Sequence, residues 1–146
     1  MDILREIINN KAVVIPVLAW FIAQAIKVVT RIITDKKFDF TLFVSSGGMP
    51  SSHSSFTVSL AVVIGKDYGW YSGLFGLSAA FALIVMYDAA GVRRAVGKQA
   101  KVLNMLIHTH MDRILLEKKL KELVGHTPLE VFMGALLGIV MGLWLG

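Results

Sequence analysis

Residues 129–146 read LEVFMGALLGIVMGLWLG and contain a single charged side chain, that of Glu130. A helix that crosses a bilayer needs about 20 predominantly apolar residues, so this stretch predicts a membrane-spanning helix. Glycine recurs in it at every fourth position: Gly134, Gly138, Gly142 and Gly146. Small residues on one face allow two membrane helices to approach closely. We therefore predict that the last helix packs against a neighbouring helix through its glycines.

Three further apolar runs precede this stretch, at residues 12–33, 54–65 and 71–90. The whole chain of 146 residues is 55% hydrophobic and 17% charged, with a mean hydropathy of +0.67. A soluble domain usually carries about 25% charged residues, so these values exclude a disordered chain and an ordinary soluble domain. They predict an all-α integral membrane protein, one domain over residues 1–146, with about four transmembrane helices plus an amphipathic surface helix.

Charge and cysteine content narrow the function classes further. The formal net charge is +5 and the pI is about 9.6. On so apolar a chain this favours a membrane surface or anionic lipid as the partner, and not nucleic acid. The absence of cysteine excludes a disulfide scaffold, a thiolate metal site and a cysteine nucleophile. A cleaved signal peptide is the alternative for the first apolar run, but the residues before it carry no net positive charge.

Two long connections, residues 34–53 and 91–127, separate the apolar runs. The second has apolar residues at helical spacing: Val96, Ala100, Leu103, Ile107, Met111 and Ile114. This spacing predicts the amphipathic helix. Four crossings place both connections on one side of the membrane, with eleven basic residues there against three on the other side. Because cytoplasmic loops are enriched in Lys and Arg, we predict a multi-pass protein of the cell membrane with both connections, and the catalytic face, in the cytoplasm.

Cysteine accessibility in intact cells tests this orientation, and the absence of natural cysteine makes single substitutions unambiguous. With Lys36→Cys and Lys66→Cys as separate probes, we expect an impermeant thiol reagent added outside to label only the probe at position 66. Labelling of the probe at position 36 alone would show that the topology is inverted.

The segment GGMPSSH, residues 47–53, has the composition of a turn that leads into a helix. Glycines permit a tight turn, Pro50 sets the entry and serines are good N-caps. A helix N-terminus presents free N–H groups and the positive end of the helix dipole, which suits a phosphate group. Ser51 and Ser52 would add hydroxyl donors, and His53 would lie in the first turn. The alternative is a capped turn with an incidental histidine.

The segment GHTPLE, residues 125–130, opens the last helix. Thr127 and Glu130 fit a capping box, with Pro128 at the first helical position. His126 lies four residues before Glu130, whose carboxylate could hold one imidazole nitrogen and leave the other free to attack. Capping and imidazole binding compete for the same carboxylate oxygens, so both interpretations of Glu130 stay open.

Other polar side chains fall at the same predicted end of the bundle. Asp88 is either a functional group within a membrane helix or a carboxylate that neutralises Lys27 or an arginine. Arg93 and Arg94 follow it, either as flanking charges or as planar donors to phosphate oxygens. One face of the first apolar run carries Gln24, Lys27 and Arg31. For Arg31 and Lys27, extension of the side chain towards the membrane interface is an alternative explanation that needs no function.

These motifs resemble those of a known superfamily. PSSH at residues 50–53 resembles the P-S-G-H motif of the type 2 phosphatidic acid phosphatases (PAP2), a superfamily that includes the vanadium haloperoxidases. The residues from His126 to Glu130 resemble its H-x-x-x-D motif, with Glu in place of Asp. Together with YDAAGVRR at residues 87–94, the strings GGMPSSH and GHTPLEV are similar to a divergent bacterial and plant branch, over most of the chain from about residue 19.

The resemblance implies a membrane-embedded hydrolase of lipid phosphate monoesters or diphosphates that needs no metal and no cofactor. It implies that His126 is the nucleophile and forms a phosphohistidine, that Glu130 orients its ring, and that His53 protonates the leaving oxygen. Candidate substrates are phosphatidylglycerophosphate, phosphatidate and an isoprenyl phosphate. By this resemblance Ser51 and Ser52 are phosphate donors. Further candidates for phosphate binding, which no motif match assigns, are Lys27, Arg93 and Arg94. Gln24 and Asp88 are further candidates for the site.

The chain departs from the family pattern at two cationic positions. The first motif, K-x6-R-P, is absent, because Thr34 stands seven residues after Lys27. The arginine expected six residues before the nucleophile falls on Leu120. The family core also usually has six helices, and the amphipathic segment or a second subunit in a homo-oligomer could fill that deficit.

Two other function classes therefore stay open. The departures favour a non-catalytic membrane protein that binds anionic lipid. Release of phosphate from a lipid substrate would exclude this alternative. The other alternative is a metal or proton transporter that uses Asp88, His53, His108 and His110. His108 and His110 are two residues apart and point to different sides of a helix, which is typical of surface histidines.

Overall fold

The computed structural model describes residues 2–35, 48–110, 120 and 124–146. Within these ranges the chain forms six α-helices and no strand. The helices are α1 (Asp2–Asn9), α2 (Lys11–Asp35), α3 (Ser52–Tyr68), α4 (Gly73–Ala90), α5 (Val92–His110) and α6 (Pro128–Leu145). The all-α fold class predicted from the sequence is confirmed.

Three helical stretches of the described residues are long and apolar enough to cross a membrane: Lys11–Ile33, Gly73–Leu106 and Pro128–Leu145. They correspond to α2, to α4 with most of α5, and to α6. The sequence also predicted a crossing at residues 54–65, in α3, which has 17 residues and several serines. α3 is not among these three stretches, although it runs beside α2, α4 and α6 within the bundle.

α3 is the central helix and contacts α2, α4 and α6. Its buried side chains are mostly small and include Ser54, Ser55 and Ser59, each with no exposed surface. Ser55 Oγ, for example, donates to the carbonyl of Ala19 in α2 at 3.2 Å. Because protein rather than lipid surrounds α3, its hydroxyls are satisfied inside the bundle and it needs no continuous apolar surface. This is the physical reason for its lower apolar content.

The glycines of α6 lie against α3, as the sequence predicted. A Cβ placed on Gly134 would collide with the backbone carbonyl of Ser51. A Cβ on Gly138 would lie 2.7 Å from the carbonyl oxygen of Ser55, and one on Gly142 would lie 2.7 Å from Cβ of Val62. No real Cβ is tolerated at such distances, so the close approach of the two helices depends on glycine.

Gly138→Leu should therefore lower the melting temperature of the protein in detergent. Overpacking a tight interface costs about 1–3 kcal/mol or more, and here the added side chain meets backbone rather than a movable side chain. Gly76→Leu on α4 is the matched control, since nothing lies within 4 Å of a Cβ at that position. Equal melting temperatures for the two variants would contradict a tight α3–α6 interface.

The predicted amphipathic helix is α5, and its helical conformation is confirmed for Val92–His110. The apolar stripe is only partly covered, because Ala100 is buried whereas Val96 and Leu103 are 45% and 49% exposed. Met111, Ile114 and the side chain of Ile107 lie outside the described residues, as does Lys36 of the topology test. α5 thus leaves apolar side chains exposed, as expected of a helix next to lipid.

The start of α3, the end of α4 and the start of α6 meet at one end of the bundle. Ser51 N donates to the carbonyl of Glu130 at 2.9 Å, which joins the start of α3 to the first turn of α6. His126 N donates to the carbonyl of Ala89 at 3.0 Å, which joins the residue before the α6 cap to the end of α4. These backbone bonds hold segments that are far apart in sequence in a fixed relation.

Candidate active site

Glu130 caps α6 and holds the ring of His126 at the same time. Thr127 is the N-cap of α6 and accepts from Glu130 N at 3.3 Å, while Glu130 Oε2 accepts from Thr127 N at 2.9 Å. The same Oε2 lies 3.2 Å from His126 Nδ1. Both interpretations of Glu130 that the sequence left open are therefore realised by one carboxylate oxygen. The capping box fixes the carboxylate, and the carboxylate fixes the imidazole.

The other ring nitrogen of His126, Nε2, is buried and has no hydrogen-bond partner among the residues that the structure describes. The residue is only 2% exposed. Because Nδ1 faces a carboxylate, the neutral ring carries its proton on Nδ1 and its lone pair on Nε2. Burial lowers the pKa of His126, and this outweighs the opposing hydrogen bond and charge of Glu130. His126 therefore presents a neutral, oriented nitrogen that can act as a nucleophile.

His53 lies in the first turn of α3, next to His126. The two ring centroids are 6.1 Å apart, which allows one phosphoryl group to contact both rings. Burial lowers the pKa of His53, and the positive charges of Arg93 and Lys27 lower it further, while Asp88 raises it. The structure thus brings together the two histidines that the sequence motifs singled out.

Lys27 reaches this site from α2 and is 1% exposed. Gly48 packs on its aliphatic chain, since a Cβ there would lie 3.1 Å from Lys27 Cγ. The φ of Gly48 is +102°, a conformation that only glycine adopts without strain. Gln24, one turn earlier on α2, is also buried. This face of α2 therefore points into the bundle, as the shared helical face of these residues predicted.

Asp88 is paired with an arginine. Its Oδ2 accepts from Arg93 Nε at 2.6 Å, with side chains that are 34% and 45% exposed respectively. The interpretation that Asp88 neutralises an arginine is the one that the structure shows. The guanidinium keeps further N–H donors for another anion, and Arg93 lies close enough to lower the pKa of both histidines.

Ser51 and Ser52 are buried at the start of α3. Ser51 is the N-cap of α3, and its Oγ accepts from Ser54 N at 3.4 Å and lies 3.0 Å from Ser54 Oγ. The hydroxyl of Ser51 is thus engaged in capping. Neither serine lines the open cavity beside His126, and their role as phosphate donors stays a prediction.

An open cavity of about 340 Å³ adjoins His126. Four basic side chains line it: Arg31, Arg94, Lys98 and Lys101. The sequence motifs singled out Arg94, but they gave Lys98 and Lys101 no role beyond topology. A signal was present, because residues 94, 98 and 101 are spaced to share one helical face. Only the tertiary structure shows that this face of α5 borders the same cavity as Thr127 and Glu130, next to the point where Gly125 packs on the backbone of Arg94.

The transporter interpretation required Asp88, His53, His108 and His110 to act together. Within the described residues, no group of three or more His, Asp or Glu residues could hold a metal ion. The side chains of His108 and His110 lie outside that description. Asp88 is engaged by Arg93, so the structure gives this interpretation no support.

Comparison with known proteins agrees with the motifs. A family model described as the Divergent PAP2 family matches residues 8–141. The chain belongs to the Divergent PAP2 family. The chain is similar to YuiD, an uncharacterized membrane protein of Bacillus subtilis (strain 168). The two are 42% identical over 151 aligned positions, which cover 94% of this chain and 95% of the relative. No solved structure matches the chain.

Membership in the Divergent PAP2 family confirms the branch that the motifs indicated. Both histidines and Glu130 fall inside the matched residues 8–141. The apolar helices and the membrane protein YuiD together support a membrane location. In this member of the Divergent PAP2 family, the motif residues His53, His126 and Glu130 lie close together.

Proposed function

We propose that this protein is a membrane-embedded, metal-independent lipid phosphate phosphatase that acts through a phosphohistidine on His126. One observation carries the proposal: His126 is buried, its Nδ1 lies 3.2 Å from Glu130, and its Nε2 has no partner in the described part of the chain. A histidine that only fills space in a core is not expected to be held by a carboxylate, with a second histidine ring and a cationic cavity beside it.

In the first step, the lone pair on His126 Nε2 attacks phosphorus, and the bond from phosphorus to the leaving oxygen breaks. His53 donates its proton to that oxygen. Lys27 and Arg93 stabilise the negative charge on the transferring phosphoryl group, and Glu130 balances the positive charge on the ring of His126. In the second step, water attacks phosphorus, His53 accepts a proton from it, the phosphorus–nitrogen bond breaks and inorganic phosphate leaves. The cycle consumes one water molecule.

An apolar groove supports a lipid as the substrate. Its volume is about 300 Å³, and it lies between α2 and α6. Its lining includes Ile26, Pro50, Leu137 and Val140, without any charged residue. One end of the groove lies near the site, because Pro50 immediately precedes Ser51, the N-cap of α3. The other end lies further along α6, which rises about 15 Å from Glu130 to Val140 at 1.5 Å per residue. A hydrocarbon chain in this groove would follow α6 into the bilayer while its phosphate reaches His126.

The proposal includes a multi-pass position in the cell membrane with the site at the cytoplasmic face. Phosphatidylglycerophosphate, phosphatidate and an isoprenyl phosphate are the candidate substrates there. The alternative is a protein that binds anionic lipid without hydrolysis, which the four cations of the cavity would also suit. We also propose a homo-oligomer, in which a second subunit could supply helices that the family core has and this chain lacks.

Phosphate release by the purified protein in detergent tests the function. The panel pairs each long-chain lipid phosphate with a short-chain ester of the same headgroup, and each reaction is repeated with vanadate and with a chelator. We expect turnover that vanadate inhibits, that the chelator does not affect, and that favours the long chain. Binding of these lipids without any phosphate release would overturn the phosphatase proposal in favour of the non-catalytic alternative.

The pH dependence of phosphate release should be shifted towards acidic pH. His53 must be protonated to act as the acid, and its pKa is lowered by burial and by nearby cations. The alkaline limb of kcat/KM, which reports the free enzyme, should therefore fall below the ordinary histidine value of about 6.5. The limb of kcat should lie at higher pH, because a bound phosphate dianion favours protonated His53. Asp88→Asn removes the charge that raises this pKa, so it should move the limb of kcat/KM further to acid. A limb above the ordinary value would contradict the assignment.

A further inference from the structure

α1, the helix before the first spanning helix, has one apolar face and one polar face. Its apolar residues follow helical spacing: Ile3, Leu4, Ile7 and Ile8. At about 3.6 residues per turn, these four side chains share one side of the helix. The polar and charged residues take the other side: Asp2, Arg5, Glu6 and Asn9. This division is typical of a helix at the boundary between an apolar and an aqueous phase.

The rest of the described chain leaves this apolar face uncovered. Its four side chains are between 48% and 74% exposed, and no residue of α1 is buried. Among the other described helices, α1 contacts only α2. A cluster of large exposed apolar side chains marks a surface that binds another protein or a membrane.

Asn10 separates α1 from the membrane-spanning helix α2. Its Oδ1 accepts from Ala12 N at 2.9 Å, and its carbonyl accepts from Val14 N at 2.9 Å, so Asn10 caps the start of α2. α1 is therefore a helix of its own and not the first turns of the span. The exposed apolar surface of α2 begins directly after this cap, at Val13 and Val17. Within a few residues of α1 the chain thus presents apolar surface to lipid.

The end of the bundle that carries α1 has the side chains of a membrane–water interface. Lys11 Nζ and Lys66 Nζ donate to carbonyls at the end of α6, at 3.3 and 3.0 Å, which brings the start of α2 and the end of α3 together there. Four aromatic side chains at this end are more than half exposed: Tyr68, Trp70, Tyr71 and Trp144. Trp and Tyr are enriched at the interfaces of a bilayer, and lysine side chains extend to the same level. α1 therefore joins the bundle at the level of the lipid headgroups.

The charge of α1 shows how it would bind a membrane. It has two acidic residues, Asp2 and Glu6, and one basic residue, Arg5, which gives a net charge of −1. A helix that binds anionic lipid by attraction is rich in Lys and Arg on its polar face. Burial of the apolar face is therefore the source of affinity, and the lipid headgroup need not be anionic.

We propose that α1 is an interfacial anchor, which lies in the bilayer surface at the end of the bundle opposite the candidate active site. Its apolar face is buried at the boundary between headgroups and acyl chains, and its polar face is turned to water. The partner is the lipid surface itself. The inference does not depend on the proposed phosphatase function, and its test involves no phosphate release.

Nitroxide labels on single cysteines test this placement, and the chain has no natural cysteine that would also react. The whole protein is labelled and reconstituted into vesicles of phosphatidylcholine. Ile3→Cys and Ile7→Cys report on the apolar face of α1, and Arg5→Cys and Glu6→Cys report on its polar face. The measured quantity is the ratio of collisions with oxygen, which concentrates in lipid, to collisions with a water-soluble nickel complex.

Two further positions calibrate the ratio. Leu77→Cys is the lipid reference, because Leu77 is 70% exposed within a candidate span. Asp67→Cys is the aqueous reference, at an exposed and charged position in the last turn of α3. We expect the labels at positions 3 and 7 to approach the ratio of the lipid reference. The labels at positions 5 and 6 should have a ratio several-fold lower, close to that of the aqueous reference.

Three results would overturn the anchor. Four labels that all resemble the aqueous reference would show that α1 stands in water. Labels at positions 3 and 7 that are shielded from both reagents would show that a protein surface, such as a second copy of the chain, covers the apolar face. A lipid-like ratio that appears only after phosphatidylglycerol is added to the vesicles would show binding by charge and not by apolar burial.

Discussion

His126→Ala is expected to abolish phosphate release from every substrate, by a factor of about 10⁴ or more, as is typical when a catalytic nucleophile is removed. The buried Nε2 of His126 is the proposed attacking atom. Rapid acid-free quenching of wild-type protein with a labelled substrate should trap label on the protein, and the variant should trap none.

Two further variants separate chemistry from folding. His126→Asn retains a side chain that can hydrogen-bond to Glu130, and it should be equally inactive with an unchanged melting temperature. Glu130→Gln retains the capping box, which accepts Gln as well as Glu, but it removes the charge that supports the imidazolium. We expect Glu130→Gln to be slowed and not abolished. Substantial activity of His126→Ala would rule out the phosphohistidine mechanism, and Asp88, now bound to Arg93, would be the next candidate nucleophile.

His53→Ala is expected to slow hydrolysis of an alkyl phosphate by about 10²–10⁴-fold, the usual contribution of general acid catalysis. An alkoxide is a poor leaving group and needs a proton, which His53 is proposed to supply. A nitrophenolate leaves with little protonation, so the loss with nitrophenyl phosphate should be much smaller. The measurement is the ratio of kcat/KM for the two substrates, in wild type and in the variant.

This ratio also distinguishes a mechanistic effect from a structural one. A variant that has lost its fold loses both activities together, whereas loss of an acid changes their ratio. A folded His53→Ala protein that is equally inactive on both substrates would show that His53 is not the acid. The 6.1 Å between the ring centroids would then point to a role in holding the phosphate.

Much of the site could be predicted because its parts are local in sequence. The capping box, Pro128 and the separation of His126 from Glu130 all lie within five consecutive residues, where helix geometry alone decides which groups meet. The glycine face of α6 could be predicted for the same reason, since a spacing of four residues sets one side of a helix. The apolar length of α2, α4 and α6 set the all-α membrane class.

The remaining features depend on contacts between segments that are distant in sequence. The choice of Arg93 as the partner of Asp88, the closeness of His53 to His126, and the place of α3 at the centre of the bundle follow from how the helices pack. The sequence marks α3 only as a weak apolar segment, because a serine-rich helix surrounded by protein and a weak membrane segment have similar compositions. The basic face of α5 is the clearest case. Its charge and spacing are present in the sequence, but only the tertiary structure, with Gly125 packed on Arg94, brings Lys98 and Lys101 to the cavity that His126 also lines. Charge acts through distance in space and not along the chain.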